Sequence, residues 1–288
     1  MKAIMIVLTF FALWLTSFLS ASGENVLAII LILTIGILHG SNDIKLLLNL
    51  KESFSLKMNK QQYLLLYIAV VLLGAICFYL IPLVTLVLFV GISAYHFGEQ
   101  HWSDKLQKHS KFFIGFTTIY GLSIFALLFY FNQPEVIEVV YDLSGFRLLH
   151  AFFAPFLIVN LGVLVILSAF GYKKFTCNFI LEAFYLLVFG LIFSIAPLIL
   201  GFAFYFVIWH SLPSLYDQIT FLYGDVSSGS LRKYLINSLF YWLAALLGLL
   251  AIYYFIGGDD SLFLPVLFSF LAAITFPHVF VIEQIERE

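Results

Sequence analysis

"QQYLLLYIAVVLLGAICFYLIPLVTLVLFVGISAYHFGEQ", residues 61–100, contains two long apolar runs separated by Pro82, and its first charged residue is Glu99. A hydrocarbon core about 30 Å thick is crossed by about 20 apolar residues in a helix, so each run is long enough to span. Barrel strands span in about 9 to 11 residues and alternate in polarity. Neither feature is present, and a helix satisfies its own backbone in lipid. The stretch reads as two antiparallel membrane helices reversed at Pro82.

The pattern extends through the chain. Of 288 residues, 63% are hydrophobic and 10% charged, with a mean hydropathy of +1.07, whereas soluble domains have about 25% charged residues. Punctuation by polar loops gives ten candidate spans: 3–21, 25–43, 61–81, 83–99, 112–131, 148–170, 178–195, 197–212, 234–256 and 262–283. Pro197 and the Gly257–Gly258–Asp259–Asp260 run mark two further reversals. The expected fold is all-α, a polytopic transmembrane bundle forming a single domain over 1–288. The first run, followed by "SFLSAS", invites comparison with a cleaved signal peptide, but it is long enough to span.

Basic residues orient such a bundle, because positive loops stay cytoplasmic. With the N-terminus inside, thirteen of the fourteen Lys and Arg fall on the inner side: Lys2, Lys45, Lys51, Lys57, Lys60, Lys105, Lys108, Lys111, Lys173, Lys174, Arg232, Lys233 and Arg287. Only Arg147 falls outside, with Glu24, Glu135, Glu138, Asp142, Asp259 and Asp260. Both termini are therefore expected in the cytoplasm. The net charge of −2 and the lack of a large basic cluster give no sign of nucleic-acid binding. Cys77 and Cys177 do not form a disulfide framework.

This topology sorts the histidines. His39 in "GILHGSNDIK", His96 in "SAYHFGEQ", His210 in "FVIWHSLPS" and His278 in "TFPHVFVIEQ" fall near the cytoplasmic ends of inward-running helices. His101 and His109 are assigned to a loop and His150 to an outer helix end. At a rise of about 1.5 Å per residue the first four come within a turn or two of one depth. Ionisable groups within spans are expensive and point to function. Neutral imidazoles gathered at one level suit a metal, with iron, zinc, copper and nickel all open. Asp43 and Glu99 follow His39 and His96 by four and three residues, on the same helix faces if the helices persist. They could orient the rings by hydrogen bonding, or be solvated helix ends.

Other chemistries fit less well. The chain has no HExxH for a zinc protease, no close His pairs of the desaturase kind, and no CxxCH for covalent haem. Two facing histidines could still hold a non-covalent haem. Gly36, Gly40, Gly91, Gly98, Ser41, Ser93 and Ser211 near the histidines serve close helix packing or leave a cavity. Tyr95, Phe97, Tyr205 and Trp209 are close enough in sequence to line one. Glu182, inside the seventh span, is a coupling or packing candidate.

Together "GILHGSND", "SAYHFGEQ", "WHSLPS" and "PHVFV" resemble the Brp/Blh family, the bacterial membrane β-carotene 15,15′-dioxygenases, over nearly the whole chain. The resemblance implies cleavage of the central double bond of β-carotene, or a related carotenoid, by O₂ at a non-haem Fe(2+) centre to give two retinal molecules. It also implies a multi-pass protein of the bacterial inner membrane, with lipid around it and a functional link to a retinal-binding rhodopsin. Carried over, His39, His96 and His210 are ligands, and His278 is the candidate fourth. The family has another His four residues after the third ligand, where this chain has Ser214; Pro213 replaces a usual basic residue and Leu38 a usual Pro. The rival readings are a haem or electron-transfer protein, a non-catalytic carotenoid- or retinal-binding protein, and a transporter.

Overall fold

The computed structural model describes residues 2–50, 58–107, 110–255 and 263–286. Lys51, Lys57, Lys108, His109, Arg287 and the turn at 257–260 lie outside the described residues. The described residues are helical, with no strand and one isolated bridge between Leu106 and Phe175. Seven helical stretches are long and apolar enough to cross a membrane: Lys60–Leu80, Pro82–Trp102, Lys111–Phe131, His150–Phe170, Leu198–Tyr223, Ser228–Phe255 and Phe263–Ile285. Lys2–Thr16, Ala21–Gly36 and Phe179–Ile195 are apolar but shorter.

The first two expected spans are shortened by local polar groups. Helix α1 (Lys2–Thr16) stops where the hydroxyls of Thr16 and Ser17 donate back to the carbonyls of Leu13 and Trp14. Ser20 then caps α2 (Ala21–Leu31), accepting from the Gly23 N–H. The expected helix over 25–43 is also interrupted. After α2 the chain widens to π-helical pitch over Ile32–Gly36, turns at 39–42 and restarts as α3 (Asp43–Asn49).

The remaining helices are α4 (Lys60–Leu80), α5 (Pro82–Trp102), α6 (Lys111–Phe131), α7 (Gln133–Ser144), α8 (Phe153–Phe170), α9 (Phe179–Ile195), α10 (Leu198–Phe204), α11 (Leu212–Tyr223), α12 (Ser228–Phe255) and α13 (Phe263–Glu286). A second π-helical stretch, Tyr205–Ser211, separates α10 from α11. Helices α7 and α11 were not expected. Each has Pro near its start and ends on a glycine at positive φ, Gly145 at 68° and Gly224 at 81°, where a side chain would be strained.

Packing divides the chain into two units. One comprises Met1–Ile32, Val90–Tyr141 and Gly145–His210; the other comprises Leu33–Phe89, Asp142–Ser144 and Ser211–Glu288. In the first, α6 packs on α8 and α9, while α10 packs on α2 and α9. In the second, α13 packs on α3, α4 and α12, and α11 on α3 and α12. Leu72, Leu73, Val165 and Phe240 are exposed apolar side chains of the kind that lipid covers.

Within the first unit α5 and α6 approach until their backbones touch. A Cβ added at Gly98 would lie 1.9 Å from the Thr117 carbonyl oxygen, and one at Gly121 would lie 1.9 Å from that of Ala94. Small residues permit this close approach in membranes. Gly98→Ala and Gly121→Ala are each expected to destabilise by about 1–3 kcal/mol through overpacking. The readout is a lower thermal unfolding midpoint in detergent, with Gly91→Ala, which meets nothing within 4 Å, as the unchanged control.

Candidate functional site

The histidine segments depart from regular α-helix. A π-helical turn carries an extra residue per cycle and recurs at functional positions. His39 follows such a stretch, and His210 lies inside one. Pro213 accounts for part of the second. Its ring lacks an N–H and opposes the carbonyl four residues back, that of Trp209, so the ordinary ladder cannot continue there.

In the second unit, side chains from α12 meet carbonyls of the His39 segment. Trp242 Nε1 donates to the Leu33 carbonyl at 2.8 Å. Tyr234 OH is 3.3 Å from the His39 carbonyl and 2.7 Å from Gln218 Oε1. Gln218 Nε2 donates to Ser214 Oγ at 2.9 Å. The Asn42 amide donates to Ser238 Oγ and, at 3.3 Å, to the Tyr234 carbonyl. Ser214, at the position where the resembled pattern has histidine, is thus buried in a chain of hydrogen bonds leading to the backbone of His39.

The His39 ring is fixed by its own helix, its Nδ1 pairing with the Gly36 carbonyl. Because a carbonyl only accepts, Nδ1 carries the proton and the lone pair belongs to Nε2. His278 follows Pro277 inside α13. Its Nδ1 lies 2.9 and 3.1 Å from the two oxygens of Asp43, and Tyr67 OH donates to Asp43 Oδ2 at 2.9 Å. The same tautomer follows. The two rings stand perpendicular, centroids 4.8 Å apart. A Cβ on Gly40 would lie 3.5 Å from His278 Nδ1, so the turn at 39–42 passes close to that ring.

This arrangement corrects the expected pairing of His39 with Asp43 on one helix face. The turn at 39–42 ends the shared helix, and Asp43, in the first turn of α3, instead meets His278, far away in sequence.

In the first unit, His96 and His210 form a comparable pair, with centroids 4.7 Å apart and an interplanar angle of 77°. Gln100 Nε2 donates to the His210 carbonyl at 3.2 Å. Phe97 and Phe206 pack on the His210 ring at 4.6 and 5.7 Å, and Tyr205 packs on Phe97 at 5.4 Å. Glu99 remains on the same helix as His96 and accepts from Tyr95 OH at 2.7 Å. Trp209 is engaged elsewhere: its Nε1 donates to Thr9 at 2.9 Å, and its ring packs on Tyr185 and Phe189.

His101 is not in a loop, because α5 runs on to Trp102. Its Nε2 donates to Glu182 Oε2 at 2.6 Å, while Lys105 lies 2.7 Å from Glu182 Oε1 and Lys2 lies 3.9 Å from it. Burial pushes the Lys105 ammonium down to about 8, against the pull of that carboxylate. Glu182 therefore ties α9 to α1 and to the end of α5. His150 opens a short turn before α8, with Nδ1 3.3 Å from Gln133 Oε1.

All four site histidines are buried. His39, His210 and His278 can each offer one nitrogen to a metal ion. Nδ1–H held by a carbonyl or carboxylate, leaving Nε2 to coordinate, is the usual arrangement of metal-binding histidines. The donor set suits a borderline transition metal. These features define an all-helical chain with membrane-spanning helices and buried imidazole pairs suited to a metal. Residues 30–286 match the family model of beta-carotene 15,15′-dioxygenase. The chain belongs to that family, and its enzyme activity is carotenoid cleavage of that type. No curated protein and no solved structure matches it.

Tyr234→Phe removes the hydroxyl that faces both Gln218 and the His39 carbonyl. It is expected to cost about 1–3 kcal/mol, the penalty for unmet buried polar groups. Thermal unfolding in detergent checks this, with the exposed Asn237→Ala as the comparison.

Proposed function

We propose that this chain cleaves the central 15,15′ double bond of β-carotene with O₂, giving two molecules of retinal, and that His39, His96, His210 and His278 are the ligands of a non-haem Fe(2+). The observation carrying this reading is the fixed tautomer of His39 and His278, with Nδ1 held by Gly36 and Asp43 and the lone pair on Nε2. Iron bound by these residues would supply activation of O₂.

The protein's part is placement. Asp43, itself held by Tyr67, orients His278. Gln100 and Tyr234 hold the backbones of His210 and His39, and Phe97 and Phe206 keep the His210 surroundings apolar. Glu99, fixed by Tyr95, contributes a carboxylate one turn from His96. His278 serves as the fourth ligand in place of a histidine at 214, where Ser214 supports the Gln218–Tyr234 chain. The apolar helices admit a polyene from lipid while limiting water.

In this reading the chain crosses the bacterial inner membrane ten times with both termini cytoplasmic, forming one membrane-embedded domain. The one-sided distribution of Lys and Arg supports that orientation. Retinal released into the bilayer would serve a retinal-binding rhodopsin.

The test is expression in a β-carotene-accumulating bacterial host, with retinal separated chromatographically and iron measured in purified protein. The unmutated chain should form retinal. His39→Ala, His96→Ala and His210→Ala should remove both retinal and iron while the protein remains folded. Asp43→Asn should weaken metal affinity about 10–100-fold, as loss of a partner to a ligating histidine does. Full turnover and iron content in His278→Ala would remove His278 from the ligand set.

A further inference from the structure

Outside the histidine segments, the first unit contains a cavity of about 400 Å³ formed by α5, α6, α8 and α9, within the size range of small-molecule sites. Its wall is largely apolar, including Phe116, Leu164 and Leu186. Val165, Ala169 and Ala183 are exposed, so the cavity opens on an outer surface of the helices, where lipid would lie.

The polar groups on this wall differ in whether they are already engaged. Both Glu182 oxygens are taken, Oε2 by His101 and Oε1 by Lys105. The Ser168 hydroxyl donates to the Leu164 carbonyl at 2.8 Å. Trp102 and Tyr120 are 2% and 1% exposed, yet Trp102 Nε1 and Tyr120 OH have no hydrogen-bond partner among the described residues. An unmet buried donor costs about 1–3 kcal/mol. Two on one wall are a reason to expect an acceptor there.

We propose that this cavity binds an apolar chain ending in a neutral carbonyl oxygen, which accepts from Tyr120 OH and Trp102 Nε1. Neutrality follows from the wall: Glu182 disfavours an anion, and its charge is already matched by Lys105, leaving little to attract a cation. Two sources carry this chemistry. One is an aldehyde product such as retinal, a source that rests on the carotenoid-cleaving reading; the other is the ester carbonyl of a membrane lipid. The cavity itself is independent of that choice.

The experiment titrates purified full-length protein in detergent with all-trans-retinal, following tryptophan quenching, with bound phosphatidylcholine measured in parallel by native mass spectrometry. Saturable quenching is expected, and Trp102→Phe should remove much of it. Ala169→Phe, which fills the mouth, should weaken binding by about tenfold or more, equivalent to about 1.4 kcal/mol. Tyr120→Phe should weaken it about threefold to tenfold, the value of one hydrogen bond. Retinal formation from β-carotene is assayed separately and should persist in Ala169→Phe. Phosphatidylcholine bound to the unmutated protein but lost from Ala169→Phe, without retinal binding, would support the site and assign it to lipid. Binding unaffected by Ala169→Phe, or binding of neither ligand, would overturn the proposal. Saturable binding in a protein that forms no retinal would count against the proposed reaction and not against the cavity.

Discussion

Backbone carbonyls placed in hydrocarbon must find donors within the protein, because no water is present to serve them. Regular helices meet this requirement internally. The His39 and His210 segments do not, since the π-helical stretches and the turn at 39–42 disturb the ladder. Trp242 and Tyr234 meet carbonyls of one segment, and Gln100 meets one of the other. Irregular backbone at membrane depth is tolerated where protein surrounds it. These three side chains are the local expression of that rule, and the positions of two histidines depend on them.

The same logic explains why a serine fits at 214. A histidine there would occupy the space in which Gln218 reaches Ser214 Oγ, and Gln218 also accepts from Tyr234. Three polar side chains thereby satisfy one another in a buried setting, where a partly satisfied network would be costly. The departure from the resembled pattern is local, because Pro213 and Ser214 sit in the first turn of α11. The remaining histidines keep their pairings: His39 with His278 in one unit, and His96 with His210 in the other.

The helical class could be read directly because apolar length is a coarse signal, and residues 61–100 carry it without interruption. The four site histidines could be singled out for a related reason: a polar ring is conspicuous at the end of an apolar run. Departures of a few residues were harder to see. Helices α7 and α11 mix apolar and charged residues over short lengths, so hydropathy assigned them to loops or left them out. His101 looked loop-bound because "EQHWSDK" is polar, although its charge is compensated by Glu182, distant in sequence. The Asp43–His278 contact could not be read from spacing, since it joins α3 to the last helix. Gly36 and Gly40 beside His39, and Pro213 after His210, were the available signs of broken ladders.

A π-helical turn can be regarded as an α-helix into which one residue has been inserted. In Tyr205–Ser211 this gives the chain a reversible unit of length. Deleting one residue would restore α pitch, and because each residue advances a helix by about 100°, everything beyond would be turned by that angle relative to α10. His210, inside the insertion, and Ser214, just after it, would then face new neighbours without any substitution. Length variation within seven residues is therefore a means of changing which side chains a fixed helix scaffold presents, independent of the residues' identities.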